Sequence, residues 1–154
     1  MGRRVSLHQL PVRLAAGVFI ANSGLNKLRA DEETAGRLHG MASGTYPFLK
    51  RLDPATFTRA LGVTEVALGT ALAVPFVPTS WGALGLAGFS GGLLGLYART
   101  PGMREEGSWR PTHQGTALAK DVWLAGIALS LMLEQAGVRR RARRAARRGQ
   151  RAEA

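Results

Sequence analysis

The chain has 154 residues, a formal charge of +11, 20 glycines and no cysteine. That length suits one domain rather than two. The lack of cysteine excludes disulfides, thiolate metal sites, iron–sulfur clusters, covalently attached haem and thiol catalysis. Apolar residues make up 45% of the chain, yet its mean hydropathy is only −0.03, as expected of a chain that keeps its charges apart from its apolar runs. Most of the net charge sits at the end: Arg139 to Ala154 holds eight Arg and one Glu, which is +7, and the rest of the chain holds +4.

In chain order, residues 1–9 form a basic segment with Arg3 and Arg4. Residues 10–134 hold four apolar runs, and 135–154 form an arginine-rich tail. The first run is 10–28, "LPVRLAAGVFIANSGLNKL"; the second is 57–77, "FTRALGVTEVALGTALAVPFV". The third is 81–98, "WGALGLAGFSGGLLGLYA", and the fourth is 116–133, "TALAKDVWLAGIALSLML". Each is close to the ~20 residues needed to cross a ~30 Å hydrocarbon core. A soluble bundle would need a charged stripe on every helix, and the third run has no charge at all. The sequence therefore predicts an all-α fold, a four-transmembrane-helix bundle in the cell membrane. "MGRR" before an apolar run has the outline of a signal peptide, but Arg13 interrupts the run and "NSGLNKL" is a poor cleavage site. The myristoylation and twin-arginine patterns at the same end are too short to carry weight.

Arginine placement sets the expected orientation. Both ends are basic, and with four spans both lie on one side, which the positive-inside rule makes cytoplasmic. The connections 29–56 and 99–115 then face outward, and "VPTS" is a tight inner turn.

One carboxylate, Glu65, interrupts the second run. Gly62, Glu65, Gly69 and Ala73 share a helix face, and a face of small residues packs on other helices rather than on lipid. A charge there costs at least ~2.5–3.5 kcal/mol, so Glu65 needs a partner or a proton. Partners at its height are Asn22, Asn26 and Lys27 on the first run and Lys120 and Asp121 on the fourth. These six residues form the expected intramembrane polar cluster, either a structural ion pair or a binding or proton-handling site. Arg13 and Glu134 both fall near the cytoplasmic boundary and could pair there, with snorkelling to water as the plainer alternative. Gly85, Gly88, Gly92 and Gly95 line one side of the third run, and this small-residue spacing suits close helix packing, within the chain or in a homo-oligomer.

His8, His39 and His113 all lie outside the runs, so the spans offer no pair of axial haem ligands and no metal site. In the tail, Arg139, Arg140, Arg141, Arg143, Arg144, Arg147 and Arg148 are placed to attract anionic lipid. The tail has no aromatic residue for base stacking, which weighs against nucleic acid. Away from lipid it would be disordered.

Together the runs resemble the DoxX family. The first carries Arg13, Gly17, Gly24 and Lys27; the second reads "LGVTEVALGTALAVP", with Glu65 followed by Gly69. The fourth contains "AKDVWLAGIALSLML", with the pair Lys120 and Asp121. The resemblance covers about Val12 to Leu133 and excludes the tail. It implies a four-helix integral membrane protein linked to respiratory and oxidoreductase systems, among them thiosulfate:quinone oxidoreductase and a membrane complex handling oxidative stress. The expected role is an accessory or quinone-adjacent subunit that does not catalyse alone, with no intrinsic cofactor and a quinone as the candidate ligand. Lys27, Lys120 and Asn26 are the donors expected at the quinone carbonyls, with Glu65 holding the lysines, and a membrane or periplasmic oxidoreductase is the expected partner. Two other readings stand beside it: a small solute or proton transporter working past Glu65, and a membrane scaffold with a lipid-binding tail.

Overall fold

The computed structural model describes residues 7–152, so Arg3 and Arg4 lie outside the described residues. Most of those residues are helical, and they form no named strand. After a 3-10 turn at Leu7–Gln9, helix α1 runs from Leu10 to Leu28 with Pro11 in its first turn, where a missing N–H costs nothing. Asp31 caps α2, Glu32–Thr45, by accepting from the Thr34 N–H at 2.8 Å. A second 3-10 turn, Pro47–Arg51, leads to α3, Pro54–Ala73, which Asp53 caps by accepting from the Thr56 N–H at 2.9 Å. Helix α4 covers Thr79–Arg99, α5 is the single turn Thr116–Ala119, and α6 runs from Val122 to Ala152.

Three expected boundaries move. The run 57–77 becomes a helix at 54–73, because Asp53 and Pro54 begin it early and Pro75 ends it. A proline lacks the N–H to continue the ladder and drives the preceding residue to extended backbone; Val74 has ψ 122°. The fourth run is not one helix, since a turn at Lys120–Asp121 separates α5 from α6. Nor does α6 stop at Leu133. It continues through the arginine tail, which is helical rather than disordered, and Arg and Ala are both strong helix formers.

The helices associate as two pairs. Helix α1 packs along α3 and α4 along α6, while α2 lies across α3 and α4. Where the pairs meet, Ala16, Ile20, Leu72, Leu86, Leu124 and Ala128 form the core. In the first pair the backbones nearly touch. A Cβ on Gly17 would lie 2.6 Å from the Gly69 carbonyl oxygen, and one on Gly24 would lie 2.6 Å from that of Gly62. The reciprocal positions, Gly69 and Gly62, meet the Gly17 and Gly24 carbonyls in turn.

The outward faces are apolar. Val18, Phe19, Val63, Trp81, Leu84, Trp123, Leu129 and Leu133 are all exposed. By length and composition two stretches, Thr79–Arg99 and Thr116–Ala145, can cross a membrane, and only 33% and 17% of their apolar windows are buried. A soluble protein's core helix of that composition would be mostly buried.

Candidate functional site

A cavity of about 480 Å³ lies between the two helix pairs. Its walls come from Ile20 on α1, Phe57 and Leu61 on α3, Phe89 and Leu93 on α4, and Leu124 on α6, and α2 and the turn after it cover part of it. Most of the lining is hydrocarbon. The polar groups are Ser23, Lys27, Glu65 and Asp121, with Tyr46 turned into a bond elsewhere: its hydroxyl donates to the Gly92 carbonyl at 2.8 Å.

On α1, Phe19, Ser23 and Lys27 lie four residues apart and therefore share one face, and all three line the cavity. The Lys27 ammonium does not reach outward to water. It turns back one helical turn, donating to Ser23 Oγ at 2.8 Å and to Glu65 Oε2 at 2.9 Å. The Glu65 side chain is only 3% exposed. A carboxylate so enclosed holds its charge only with a cation beside it, and Lys27 supplies one. Asp121 lines the same cavity and accepts no side-chain hydrogen bond among those found between described residues. The trio thus has two acids and one base. One acid is matched by the ammonium, and the other has no cation bonded to it among the described residues.

The other members of the expected cluster lie elsewhere. Asn22, Asn26 and Lys120 are exposed. The two asparagines sit about 100° around α1 from the face of Ser23 and Lys27, and Lys120 occupies the turn between α5 and α6. Ser23 joins the cluster without having been expected there, although its position four residues before Lys27 puts it on the same face.

The expected pair of Arg13 and Glu134 does not form. Arg13 is 1% exposed. Its Nε donates to the Leu72 carbonyl at 2.8 Å, and Nη1 to Thr79 Oγ1 at 3.0 Å. Nη2 donates to the carbonyls of Ala71, Val74 and Val77 at 3.1–3.2 Å. The last carbonyls of any helix lack intrahelical partners, and the negative end of the α3 dipole favours a cation. Arg13 therefore caps α3 instead of pairing with an acid. Glu134 meets His8 Nε2 at 2.7 Å.

The glycines of α4 also differ from expectation. A Cβ on Gly85 would meet only the tip of Leu68, and one on Gly95 would meet the Tyr46 ring. At Gly88 and Gly92 nothing lies within 4 Å. Those two line the cavity and make no helix seam within the chain. The seam glycines are Gly17, Gly24, Gly62 and Gly69. The tail residues Arg139, Arg140, Arg141, Arg143, Arg144, Arg147 and Arg148 are all exposed along α6.

Glycine-seamed helices, exposed apolar faces and an ion pair buried inside define a helical membrane protein. The chain belongs to the DoxX family, a family of membrane proteins whose model matches residues 8–98. The match spans α1 to α4, including Arg13, Lys27 and Glu65, and ends before Lys120 and Asp121. No curated protein and no solved structure matches the chain.

Proposed function

We propose that this chain is a four-span protein of the cell membrane with both termini cytoplasmic. In this reading it serves a membrane oxidoreductase or respiratory system as an accessory, quinone-adjacent subunit that does not carry the redox step alone. The cavity is the observation that carries this reading: about 480 Å³ of mostly apolar space with a charged trio in its lining. That volume lies within the ~300–1,000 Å³ of small-molecule sites, which combine apolar walls with a few placed polar groups. A quinone head needs such a slot and donors at its carbonyls. Lys27 Nζ and Ser23 Oγ are the donors, Glu65 holds Lys27 in place, and Asp121 exchanges the proton. The oxidoreductase setting comes from family analogy. Four features support the spans and their direction: the exposed apolar faces, Trp81 near one end of α4, Trp109 and Trp123 near the other, and the basic tail. Tryptophans gather at the two membrane interfaces. The first tail arginines then face anionic lipid, each held by ~1 kcal/mol near the surface.

The test is binding of a quinone analogue to protein purified in mild detergent, with co-purifying proteins identified. We expect Glu65→Ala to weaken binding by about tenfold or more, equivalent to ~1.4 kcal/mol. Glu65→Gln keeps a hydrogen bond and is expected to be tolerated better than Glu65→Lys, which sets a like charge against Lys27. Proton or solute flux in liposomes, needing neither quinone nor partner, would replace this reading with the transporter one. Equal behaviour of the Gln and Lys variants would remove the ion pair from the argument.

A further inference from the structure

The cavity reaches the protein surface, and where it does so bears on what can enter. Toward the outer side it is roofed. Leu38 and Met41 of α2 and Leu49 of the following turn line it, and the roof is tied down by Tyr46 bonding to Gly92 and by His39 bonding to the Leu49 carbonyl at 3.0 Å. Two of the exposed liners are Phe19, 65% exposed, and Gly88. Both lie near the midpoints of their helices, Leu10–Leu28 and Thr79–Arg99. At 1.5 Å per residue each is about 15 Å from either helix end, which in a ~30 Å hydrocarbon core is its centre. A gap at that height opens onto lipid. The remaining exposed liner, Ala117, sits near the outer end of its segment and marks the competing, aqueous route.

Gly88 adds an independent point. Glycine is an unfavourable choice inside a helix, and membrane helices accept it where it lets backbones approach. Within the chain Gly88 brings no backbone close: a Cβ there would meet nothing within 4 Å. What the missing side chain provides is open width at the cavity's surface.

We propose that the cavity is filled sideways from the bilayer, past Phe19 and Gly88, by an amphiphile with a hydrocarbon chain and a compact head that accepts hydrogen bonds. The head seats at Lys27 and Ser23, and the chain runs out along Leu93 toward the gap. This rests on the four-span placement above and adds to it the entry route and the chain; it holds whether or not the head is a quinone.

The experiment uses the full chain in liposomes with a long-chain alcohol bearing a terminal diazirine dissolved in the bilayer. After irradiation, labelled residues are mapped by mass spectrometry. The expected result is label on Phe19 and also inside the cavity, on Leu61 and Leu93. Gly88→Leu is expected to cut the internal label about tenfold while leaving the lipid-facing Leu129 label unchanged. Gly91→Leu is the control, because Gly91 is exposed, has open space around it and does not line the cavity. Should Gly88→Leu not purify folded, Phe19→Trp narrows the same gap from α1. The proposal is overturned if Leu61 and Leu93 stay unlabelled while Phe19 is labelled. It is also overturned if their label survives a narrowed gap, or if a chainless water-soluble diazirine reaches them equally well. Internal labelling that depends on Gly88, in a protein that binds no quinone analogue, upholds the route and removes only the quinone head.

Discussion

The two helix pairs use the same residue for opposite ends. In α1 and α3, glycines face glycines across a seam so close that each Cβ position is filled by a carbonyl of the other helix. In α4 and α6, the glycines Gly88 and Gly92 of α4 face empty space. These glycines lie four or seven residues apart, so spacing alone does not separate the two uses. What separates them is reciprocity. Gly17 and Gly69 answer each other, as do Gly24 and Gly62, whereas α6 has no matching row of glycines opposite α4. The glycine seam inside the first pair is closed, whereas Gly88 and Gly92 of the second pair border the chamber that both pairs share.

The largest test of this contrast is to put one side chain into each pair. Gly69→Leu would drive its Cβ into the Gly17 carbonyl oxygen and the Ala21 nitrogen, backbone that cannot move without parting the helices. We expect no folded protein from it, and expect Gly91→Leu on α4 to purify with near-normal thermal stability. Size exclusion and a melting curve in detergent decide, and equal recovery of both would erase the distinction. Next in size is Arg13→Met. It fills similar space but leaves the carbonyls of Ala71, Leu72, Val74 and Val77 without their charged donor. The expected loss is at least about 3 kcal/mol, read as a lowered unfolding midpoint in denaturant, with Arg13→Lys falling between.

The smallest effect concerns how the helices start. Asp53 caps α3 with its carboxylate, whereas α4 begins at Pro78 with no side-chain cap. Hydrogen bonding from Thr56, by its side chain first and then its backbone N–H, holds the Asp53 carboxyl below the usual range. A depressed folded pKa means stability that is fully present above the unfolded value, ~3.9, and is lost as pH falls through the folded one. Hydrogen exchange in the first turn of α3 should therefore quicken below about pH 4, while the first turn of α4 stays level. Asp53→Asn keeps a cap and should abolish the pH dependence. Parallel quickening in both helices would show the cap to be irrelevant.

The helices were legible in the sequence for a physical reason. An apolar run long enough to span a bilayer must satisfy its own backbone there, and a single segment does so only as a helix. The edges were less legible. The Asp53–Pro54 start signal was present but lay outside the apolar run, and Pro75 lay inside it. Helix α2 hides in a polar connection, marked only by Asp31 and the acidic turn after it. Lys27 and Glu65 are joined as their heights suggested. Arg13 was harder to place, because its partners are backbone carbonyls and a carbonyl leaves no mark in a sequence. The cavity was not legible at all. It exists because two helix pairs meet incompletely, and that depends on the shapes of both.

Arg13 also bears on how the protein is made. Its partners belong to residues 71–79, which leave the ribosome some sixty residues after it does. Until they arrive, α1 carries an arginine with nothing to accept its five N–H groups, and an unpaired arginine within a span disfavours insertion. In the four-span reading α1 and α3 are therefore poor anchors singly and good ones together. It agrees with the composition: α4 and the α5–α6 run are long and apolar enough to cross a membrane, and α1 and α3 do not reach that level. In that reading the later helices enter lipid on their own composition, and the first is held at the interface until its partner arrives.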